Sequence, residues 1–342
     1  MTLTSFERTG GGREGTKGSE PAIAIAGLHK RYGEVDAVNG IDLEVAGGEL
    51  FGFLGPNGAG KSTTIKILCT LVRPTGGSAR VAGYDVVRER GEVRRNIGLV
   101  FQETTLDEYL TAEQNLRFHA EIYGMAKAAV PARIEAVLDL VDLADRRHSA
   151  VMTFSGGMKR RLEIARGLLH SPRVLFLDEP TVGLDPESRS TLWRYVDELR
   201  RRERITVFLT THYMDEAERC ERIAIVDRGR IAALGTPGDL KASVGSDRIR
   251  LQTDGDPSEA AELIRARLGV EASIDGDVVV VDAPDGERFA PRLFELGLSV
   301  VSVRITRPTL DDVFLAYTGN RMRDAEQKQP RGMHPRMRGV MR

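Results

Sequence analysis

The chain has 342 residues, a length typical of about two domains. Its 49 lysines and arginines nearly balance 50 aspartates and glutamates, and the formal net charge is -1. A dedicated nucleic-acid-binding protein usually carries a clear basic excess, so this balance argues against a nucleic-acid partner. The longest uncharged stretches, residues 50–60 and 148–158, are shorter than the roughly 20 apolar residues of a membrane-spanning helix. We therefore expect a soluble, intracellular protein.

The first part of the chain changes character at residue 22. Residues 1–21 contain five glycines and almost no apolar side chains, which predicts a flexible leader. Short apolar or alternating runs closed by glycine follow at 22–32 and 41–55, and they predict strands and turns. A helix is predicted for residues 62–71.

The segment from about residue 104 to 170 lacks strand-like runs and is predicted to be helical. Apolar residues recur there at helical spacing, as at Ile134, Val137 and Leu138, and Pro131 suits the start of a helix. This segment would be a helical insertion into the fold.

Two apolar runs that follow, residues 174–178 and 205–212, predict buried strands, and residues 186–203 between them predict a helix. Strands that alternate with helices indicate a mainly parallel sheet covered on both faces. The fold class expected for residues 22–240 is therefore α/β.

A second, smaller unit is predicted after residue 240. Residues 247–306 read as strand, helix, strand, helix and strand, which indicates an accessory α+β domain at 241–320 with its boundary near 241–246. The tail at 321–342 has seven lysines and arginines against two acidic residues and is predicted to be disordered.

The strongest motif fits the pattern G-x-x-x-x-G-K-[ST], between a predicted strand and a predicted helix. It consists of Gly55, Pro56, Asn57, Gly58, Ala59, Gly60, Lys61, Ser62 and Thr63. Its glycines let backbone N–H groups approach phosphate oxygens, and the helix N-terminus favours negative charge. Lys61 would reach the β- and γ-phosphates, and the Ser62 hydroxyl would bind Mg²⁺. The motif predicts a P-loop NTPase.

Three polar residues lie at the carboxyl ends of the next two predicted strands. Asp178 ends the run at 174–178, at the sheet edge where the metal of a phosphate loop is held. Glu179 follows it and could polarise the attacking water. His212 ends the run at 205–212 and would face the γ-phosphate.

With Ser155, Gly156 and Gly157 lying 23 residues before Asp178, counted from the serine, the chain resembles the ATP-binding cassette (ABC) family over residues 23–240. Further matches to family motifs are Gln102 for the glutamine loop, Asp185 in the loop after Glu179, and Tyr32, where the family has an aromatic residue that stacks on adenine. The resemblance implies that Gln102 contributes to catalysis and to the Mg²⁺ site.

The resemblance also implies how such a site is completed. In this family, two cassettes pair head to tail and bury ATP between the phosphate loop of one and the Ser-Gly-Gly segment of the other. Ser155, Gly156, Gly157 and Asp185 would then serve a nucleotide held by the second cassette. Glu179, His212, Gln102 and Lys61 would promote hydrolysis.

Two residues depart from the usual Leu-Ser-Gly-Gly-Gln signature, Phe154 and Met158. The methionine, and the sequence PTLDDVFLAYTG at 308–319, look like the drug-resistance branch of exporter subunits, similar to daunorubicin/doxorubicin-resistance ATPases. The resemblance implies an ATPase subunit on the cytoplasmic face of the cell membrane that energises a separate polytopic permease. The permease, rather than this chain, would contact the transported drug or other hydrophobic compound.

Several alternatives remain open at this point. The second cassette could be another copy of the chain, which gives a homodimer, or a paralogue. The chain could also be a soluble non-transport ABC ATPase with a regulatory or nucleic-acid-associated role. A nucleic-acid repair ATPase of the family would carry long coiled coils within the cassette, and the sequence shows none. A purely regulatory nucleotide sensor would be expected to lack Glu179 or Ser155, and both are present. The transport interpretation therefore fits the sequence best.

Overall fold

The computed structural model describes residues 20–319. The predicted leader, apart from its last two residues, and the predicted basic tail lie outside these residues. The strands of the described residues are β1 (Ile23–Tyr32), β2 (Val35–Val45), β3 (Leu50–Leu54), β4 (Gly76–Val81), β5 (Tyr84–Asp85), β6 (Ile97–Val100), β7 (Val174–Asp178), β8 (Thr206–Thr211), β9 (Arg222–Asp227), β10 (Arg230–Gly235), β11 (Asp247–Thr253), β12 (Ala272–Asp275), β13 (Val278–Ala283) and β14 (Val300–Thr306).

The helices lie between or after these strands in the chain, and their lengths range from one turn to five turns. They are α1 (Lys61–Leu68), α2 (Arg90–Asn96), α3 (Ala112–Ile122), α4 (Val130–Leu140), α5 (Gly156–Leu168), α6 (Pro186–Glu203), α7 (Met214–Ala217), α8 (Pro237–Val244), α9 (Pro257–Leu268), α10 (Gly286–Phe294) and α11 (Leu310–Thr318). No helix within residues 20–319 combines the length and apolarity needed to span a membrane.

The main sheet positions the site. Its order is β10-β9-β3-β8-β7-β6, and its neighbours are parallel except for β9 and β10. Strands β3, β7 and β8 are buried along their whole length, as expected for parallel strands covered on both faces. In the register, Leu54 pairs with Thr211 and Asp178 pairs with Thr210, so the carboxyl ends of these three strands meet at one edge.

A separate antiparallel sheet, in the order β2-β1-β4-β5, covers one face of the main sheet together with α1. Its first two strands form a hairpin in which Tyr32 pairs with Val35 and Gly33 adopts a φ of 57°. The sequence predicted strands here but not their separation from the parallel sheet. The burial of β1 and β2 alternates, as is typical of an antiparallel sheet with one buried face, whereas β3, β7 and β8 are buried throughout.

The other face of the main sheet is covered by α3, α4, α5 and α6. The residues predicted to form the apolar stripe of the helical segment, Ile134, Val137 and Leu138, are all buried in this core, and Pro131 lies in the first turn of α4. The helix predicted at 186–203 has the bounds of α6, and Trp193 packs from it into the same core.

The C-terminal unit has the order β12-β13-β11-β14 and is antiparallel throughout. With α9 between β11 and β12 and α10 between β13 and β14, the topology is the ferredoxin-like β-α-β-β-α-β arrangement. Its separate core includes Ile249, Leu251, Val279 and Phe289. The short strand β12 was not predicted, because it has four residues and only its first one is buried.

Helices α8 and α11 flank this unit in the chain and pack against each other. Leu240 of α8 and Leu310, Val313 and Phe314 of α11 belong to the core beneath the main sheet, rather than to the core of the C-terminal sheet. The chain therefore leaves the first unit after α8, forms the C-terminal unit and returns to the first unit at α11.

Candidate functional site

The phosphate loop joins β3 to α1 and is shaped by its glycines. Gly60 has a φ of 103°, and a Cβ there would lie 2.3 Å from the Ala37 carbonyl oxygen. A Cβ at Gly55 would lie 2.5 Å from the Val226 carbonyl oxygen. The sequence predicted that these glycines let backbone N–H groups approach phosphate oxygens. The structure shows in addition that the neighbouring backbone leaves no room for a side chain at either position.

Lys61 begins α1 and its side chain is buried. Its Nζ donates to the carbonyl oxygens of Gly55 at 2.7 Å and Pro56 at 3.2 Å, and it lies 3.2 Å from Glu179 Oε1. A buried ammonium group is tolerated only with such partners. The structure thus brings together the predicted lysine of the loop and the predicted catalytic carboxylate.

The two residues predicted to hold Mg²⁺ at the ends of α1 and β7 also meet. Asp178 Oδ1 accepts hydrogen bonds from Ser62 Oγ at 3.2 Å and from Thr210 Oγ1 at 2.6 Å. Mg²⁺ commonly takes one or two carboxylates from a protein and its other ligands from phosphate and water. Residues 20–319 contain no cluster of three or more His, Cys, Asp or Glu side chains that could hold a metal ion.

Glu179 follows β7 in a left-handed conformation with a φ of 47°. Its N–H donates to the Thr210 carbonyl oxygen at 3.2 Å and to Thr210 Oγ1 at 3.1 Å, and its Oε2 lies 3.4 Å from Nδ1 of His212. Burial on its own would raise the pKa of Glu179. The hydrogen bond with His212 and the charge of Lys61 outweigh burial, and the pKa lies below its usual value. The carboxylate is therefore ionised at neutral pH.

Two predicted residues do not join this cluster. Gln102 lies exposed in the loop after β6, and within residues 20–319 its side chain makes no hydrogen bond. Tyr32 ends β1 with about half of its surface exposed, and Lys30 Nζ lies 4.8 Å from the centre of its ring. Its aromatic surface remains accessible to a planar group. Their roles as glutamine loop and base platform stay predictions.

The signature segment begins a helix whose N-cap is Ser155. Its Oγ accepts from the Met158 N–H at 3.2 Å, and Ser155 and Gly156 are exposed. A Cβ at Gly157 would lie 2.5 Å from Ser188 Oγ, so the glycine permits close packing of α5 on α6.

The loop before α6 ends at Asp185, which caps the helix. Asp185 accepts hydrogen bonds from Ser188 N at 2.9 Å and Ser188 Oγ at 2.6 Å, and these bonds lower its pKa. Ser188 thereby connects Asp185 to the signature helix. Asp185 therefore caps α6. Its side chain is also exposed, so it remains accessible to a nucleotide, as predicted from the sequence.

Some buried polar residues near the site were not predicted from the sequence, among them Thr210, Arg160 and Glu163. Thr210 holds both Asp178 and the backbone of Glu179. Arg160 and Glu163 of α5 form a buried ion pair behind the same strand end. Thr210 could have been noticed as the polar end of an apolar run. Charged residues within a helix give no such signal, because they usually face solvent.

Two families of known sequences match the chain. The ABC transporter family matches residues 38–182, and the C-terminal domain of DrrA1-3-like ATP-binding proteins matches residues 235–318. The chain is 44% identical over 307 residues to the daunorubicin/doxorubicin resistance ATP-binding protein DrrA of Streptomyces peucetius, an alignment that covers 87% of this chain and 93% of that protein. The chain belongs to the DrrA family of ABC transporter ATP-binding proteins.

Other members of the ABC group are similar along most of their length. The linearmycin resistance ATP-binding protein LnrL of Bacillus subtilis is 38% identical over 311 residues, covering 87% of this chain and 98% of that protein. The solved dimeric structure of an ATP-binding cassette in a post-hydrolysis state, bound to ADP and Pi, superposes with a TM-score of 0.57 and 26% identity. It covers 63% of this chain and 98% of its own. The predicted P-loop α/β fold with its second α+β unit is confirmed.

The protein is thus an ABC-type ATPase that is coupled to transport, and it binds ATP. Like other ABC subunits, this DrrA-family cassette works with a membrane permease and pairs with a second cassette. The resemblance inferred from Ser155, Gly156 and Gly157 is confirmed at the level of the family.

Proposed function

We propose that this ATPase energises the export of a drug, an antibiotic or another hydrophobic compound through a separate polytopic permease. The names of its relatives support this class of cargo, since they refer to resistance to daunorubicin, doxorubicin and linearmycin. The chain would sit at the cytoplasmic face of the membrane through that permease. The cargo would contact the permease rather than residues of this chain.

The observation that carries the proposed mechanism is the contact between the phosphate loop and the strand ends. Ser62 and Asp178 would hold Mg²⁺, with Gln102 as a further ligand. The ion would neutralise charge on the β- and γ-phosphates of ATP. Lys61 would bind the same phosphates, and its buried position keeps that interaction strong.

Glu179 would act as the general base of hydrolysis. It is ionised, buried and held by Thr210, so its carboxylate can accept a proton from the attacking water. His212 would keep the carboxylate oriented and stabilise the charge that develops at the γ-phosphate. The distance of 3.4 Å between His212 Nδ1 and Glu179 Oε2 supports this pairing.

The nucleotide would be enclosed by a second copy of the chain. Ser155, Gly156, Gly157 and Asp185 would contact the γ-phosphate side of the partner's ATP, and Tyr32 would stack on the base of the chain's own ATP. The exposure of Ser155 and Gly156 at the start of a 13-residue helix supports this, because a helix N-terminus attracts phosphate.

The catalytic role of Glu179 is tested with Glu179→Gln. The variant should bind MgATP, hydrolyse it at least about 100-fold more slowly because the general base is lost, and elute as a dimer in gel filtration with MgATP. Glu187→Gln, an exposed position in the first turn of α6, is the matched control and should stay active. A Glu179→Gln protein that remains monomeric with MgATP would contradict the two-copy mechanism.

The transport role is tested by gentle extraction of native membranes. The full chain should co-purify with a polytopic membrane protein, and inside-out vesicles that contain both should accumulate a hydrophobic drug such as daunorubicin only with MgATP. A chain that stays free of any permease, while its ATPase activity is unaffected by membranes, would instead favour the soluble non-transport alternative.

A further inference from the structure

Helix α5 carries a buried ion pair behind the proposed catalytic residues. Arg160 Nη1 lies 3.0 Å from Glu163 Oε2, and the two side chains are 7% and 0% exposed. Removing two charges from water is costly, and a buried ion pair often contributes no more stability than apolar side chains of the same size. A reason other than stability is therefore needed for these charges, and the contacts of the pair provide one.

The guanidinium group of Arg160 holds the backbone on which the proposed catalytic carboxylates lie. Its Nε donates to the Pro180 carbonyl oxygen at 2.7 Å, and its Nη2 donates to the carbonyl oxygens of Asp178 and Glu179, each at 3.3 Å. One planar group thus fixes three consecutive peptide units. Thr210, on the neighbouring strand β8, holds the same segment through the N–H of Glu179.

The same ion pair also holds the loop that carries Gln102. Arg160 donates to the Phe101 carbonyl oxygen, one residue before the glutamine. Glu163 Oε1 accepts from the Thr105 N–H at 2.9 Å, and Arg166 donates to the Thr105 carbonyl oxygen at 2.9 Å. Both ends of the 101–105 loop are therefore attached to one side of α5.

Helix α5 begins at Ser155, the residue expected to meet the nucleotide of the second cassette. Arg160 lies little more than one helical turn farther along, so a shift of α5 at the dimer interface moves the groups that hold Glu179 and Gln102. We propose that the Arg160–Glu163 pair is a positioning element that couples the signature helix to the hydrolytic residues of its own chain. This rests on the proposed role of Glu179 as general base.

The first test compares Arg160→Gln with Arg161→Gln in the purified full chain. Arg161 also lies on α5 and also donates to two carbonyl oxygens, those of Val141 at 2.9 Å and Asp142 at 3.1 Å, but these lie in the helical segment. Arg160→Gln should lower kcat about 30-fold and change KM for ATP less than about threefold, because misplacing a catalytic group by about 1 Å can cost 10²-fold. Arg161→Gln should keep kcat within about threefold of the parent. Equal losses in the two variants would overturn the proposal.

The second test combines Arg160→Gln with Glu179→Gln and measures single-turnover hydrolysis of radiolabelled ATP. If Arg160 acts through Glu179, the double variant hydrolyses ATP no more slowly than Glu179→Gln alone. A further 30-fold loss would overturn the proposal while leaving the role of Glu179 intact. A fully active Glu179→Gln single variant would instead overturn the proposed function.

A third variant keeps the proposal testable if Arg160→Gln does not fold. Arg160→Gln combined with Glu163→Gln removes both charges, so no unpaired charge stays buried. It should fold, bind ATP with parental affinity and show the same loss in kcat, because the glutamine side chain cannot hold three consecutive peptide units. Parental kcat in this folded variant would overturn the proposal.

Discussion

The nucleotide site and the C-terminal sheet use the same charged residue types in opposite surroundings. In the site, Lys61 Nζ and Glu179 Oε1 are 3.2 Å apart and the two side chains are 4% and 7% exposed. On the C-terminal sheet, Arg250 and Asp275 are closer, at 2.9 Å, but 39% and 67% exposed. The shorter pair is the weaker one, because water screens it. Burial, rather than distance, therefore identifies the ion pairs that interact strongly.

The strands explain the difference. In β11, Ile249 and Leu251 face the core of the C-terminal unit, and Arg250 between them faces the opposite side of the sheet. Strand β7 is buried on both sides, so a charge there can appear only at its end, where Asp178 lies. An exposed face tolerates charges at no cost, whereas a charge beside a buried strand requires a partner.

The largest effect is expected from Lys61→Ala. The substitution removes the cation expected to bind phosphate and leaves Glu179 without its buried partner. Hydrolysis of ATP should fall about 10³-fold, as when a donor is removed from a preorganised charged site. Steady-state ATPase assays check this. Arg250→Ala in the same assay is the control, and a comparable loss there would contradict the contrast between the two regions.

A smaller loss, with a change in pH dependence, is expected from His212→Ala. Burial raises the pKa of Glu179 and His212 counteracts this, so removing the imidazole should raise the carboxylate pKa. Because the base must be ionised, the acid limb of the kcat–pH profile should move to higher pH, and kcat at neutral pH should fall about 10²-fold. Profiles between about pH 5 and 8 test this. An acid limb that moves to lower pH would refute it.

Thr210→Val should have a moderate effect. It removes the hydroxyl that donates to Asp178 and accepts from the Glu179 N–H, which should lower stability by about 1–3 kcal/mol and kcat roughly tenfold. Thr206→Val is the matched control on the same strand. Thr206 is buried and its Oγ1 accepts from Gly48 N–H at 2.9 Å, away from the nucleotide site, so Thr206→Val should lower stability without lowering kcat. Denaturant unfolding and ATPase assays separate the two quantities.

The smallest effect is expected from Arg250→Ala. Exposed ion pairs contribute about 0.2–1 kcal/mol, so the free energy of unfolding should change by less than about 1 kcal/mol and kcat should not change. Urea unfolding at low and high salt measures this, and the difference from the parent should shrink as salt rises. A loss of several kcal/mol would mean that the open face of the sheet is covered in solution.

The sequence predicted those features that depend on neighbouring residues. The phosphate loop and β7 were recognised because glycine spacing and an apolar run are local patterns. The placement of β1 and β2 in a second sheet was not predicted, because a strand pattern in the sequence does not identify the strands with which it pairs. Thr210 and Arg160 were missed because the site residues that they hold lie 18 to 59 residues away in the chain. A charge in a helix looks solvent-exposed until the fold shows what covers it.

The packing of α8 against α11 has a consequence for how such chains diversify. Residues 247–306 lie in the chain between α8 and α11, which pack side by side on the cassette. The ferredoxin-like unit is therefore inserted at one place on the surface of the cassette. Segments whose ends meet at a surface tolerate insertion and replacement. A gene of this kind can exchange the unit for that of a relative by recombination at two sites, while the strand order that builds the nucleotide site stays intact.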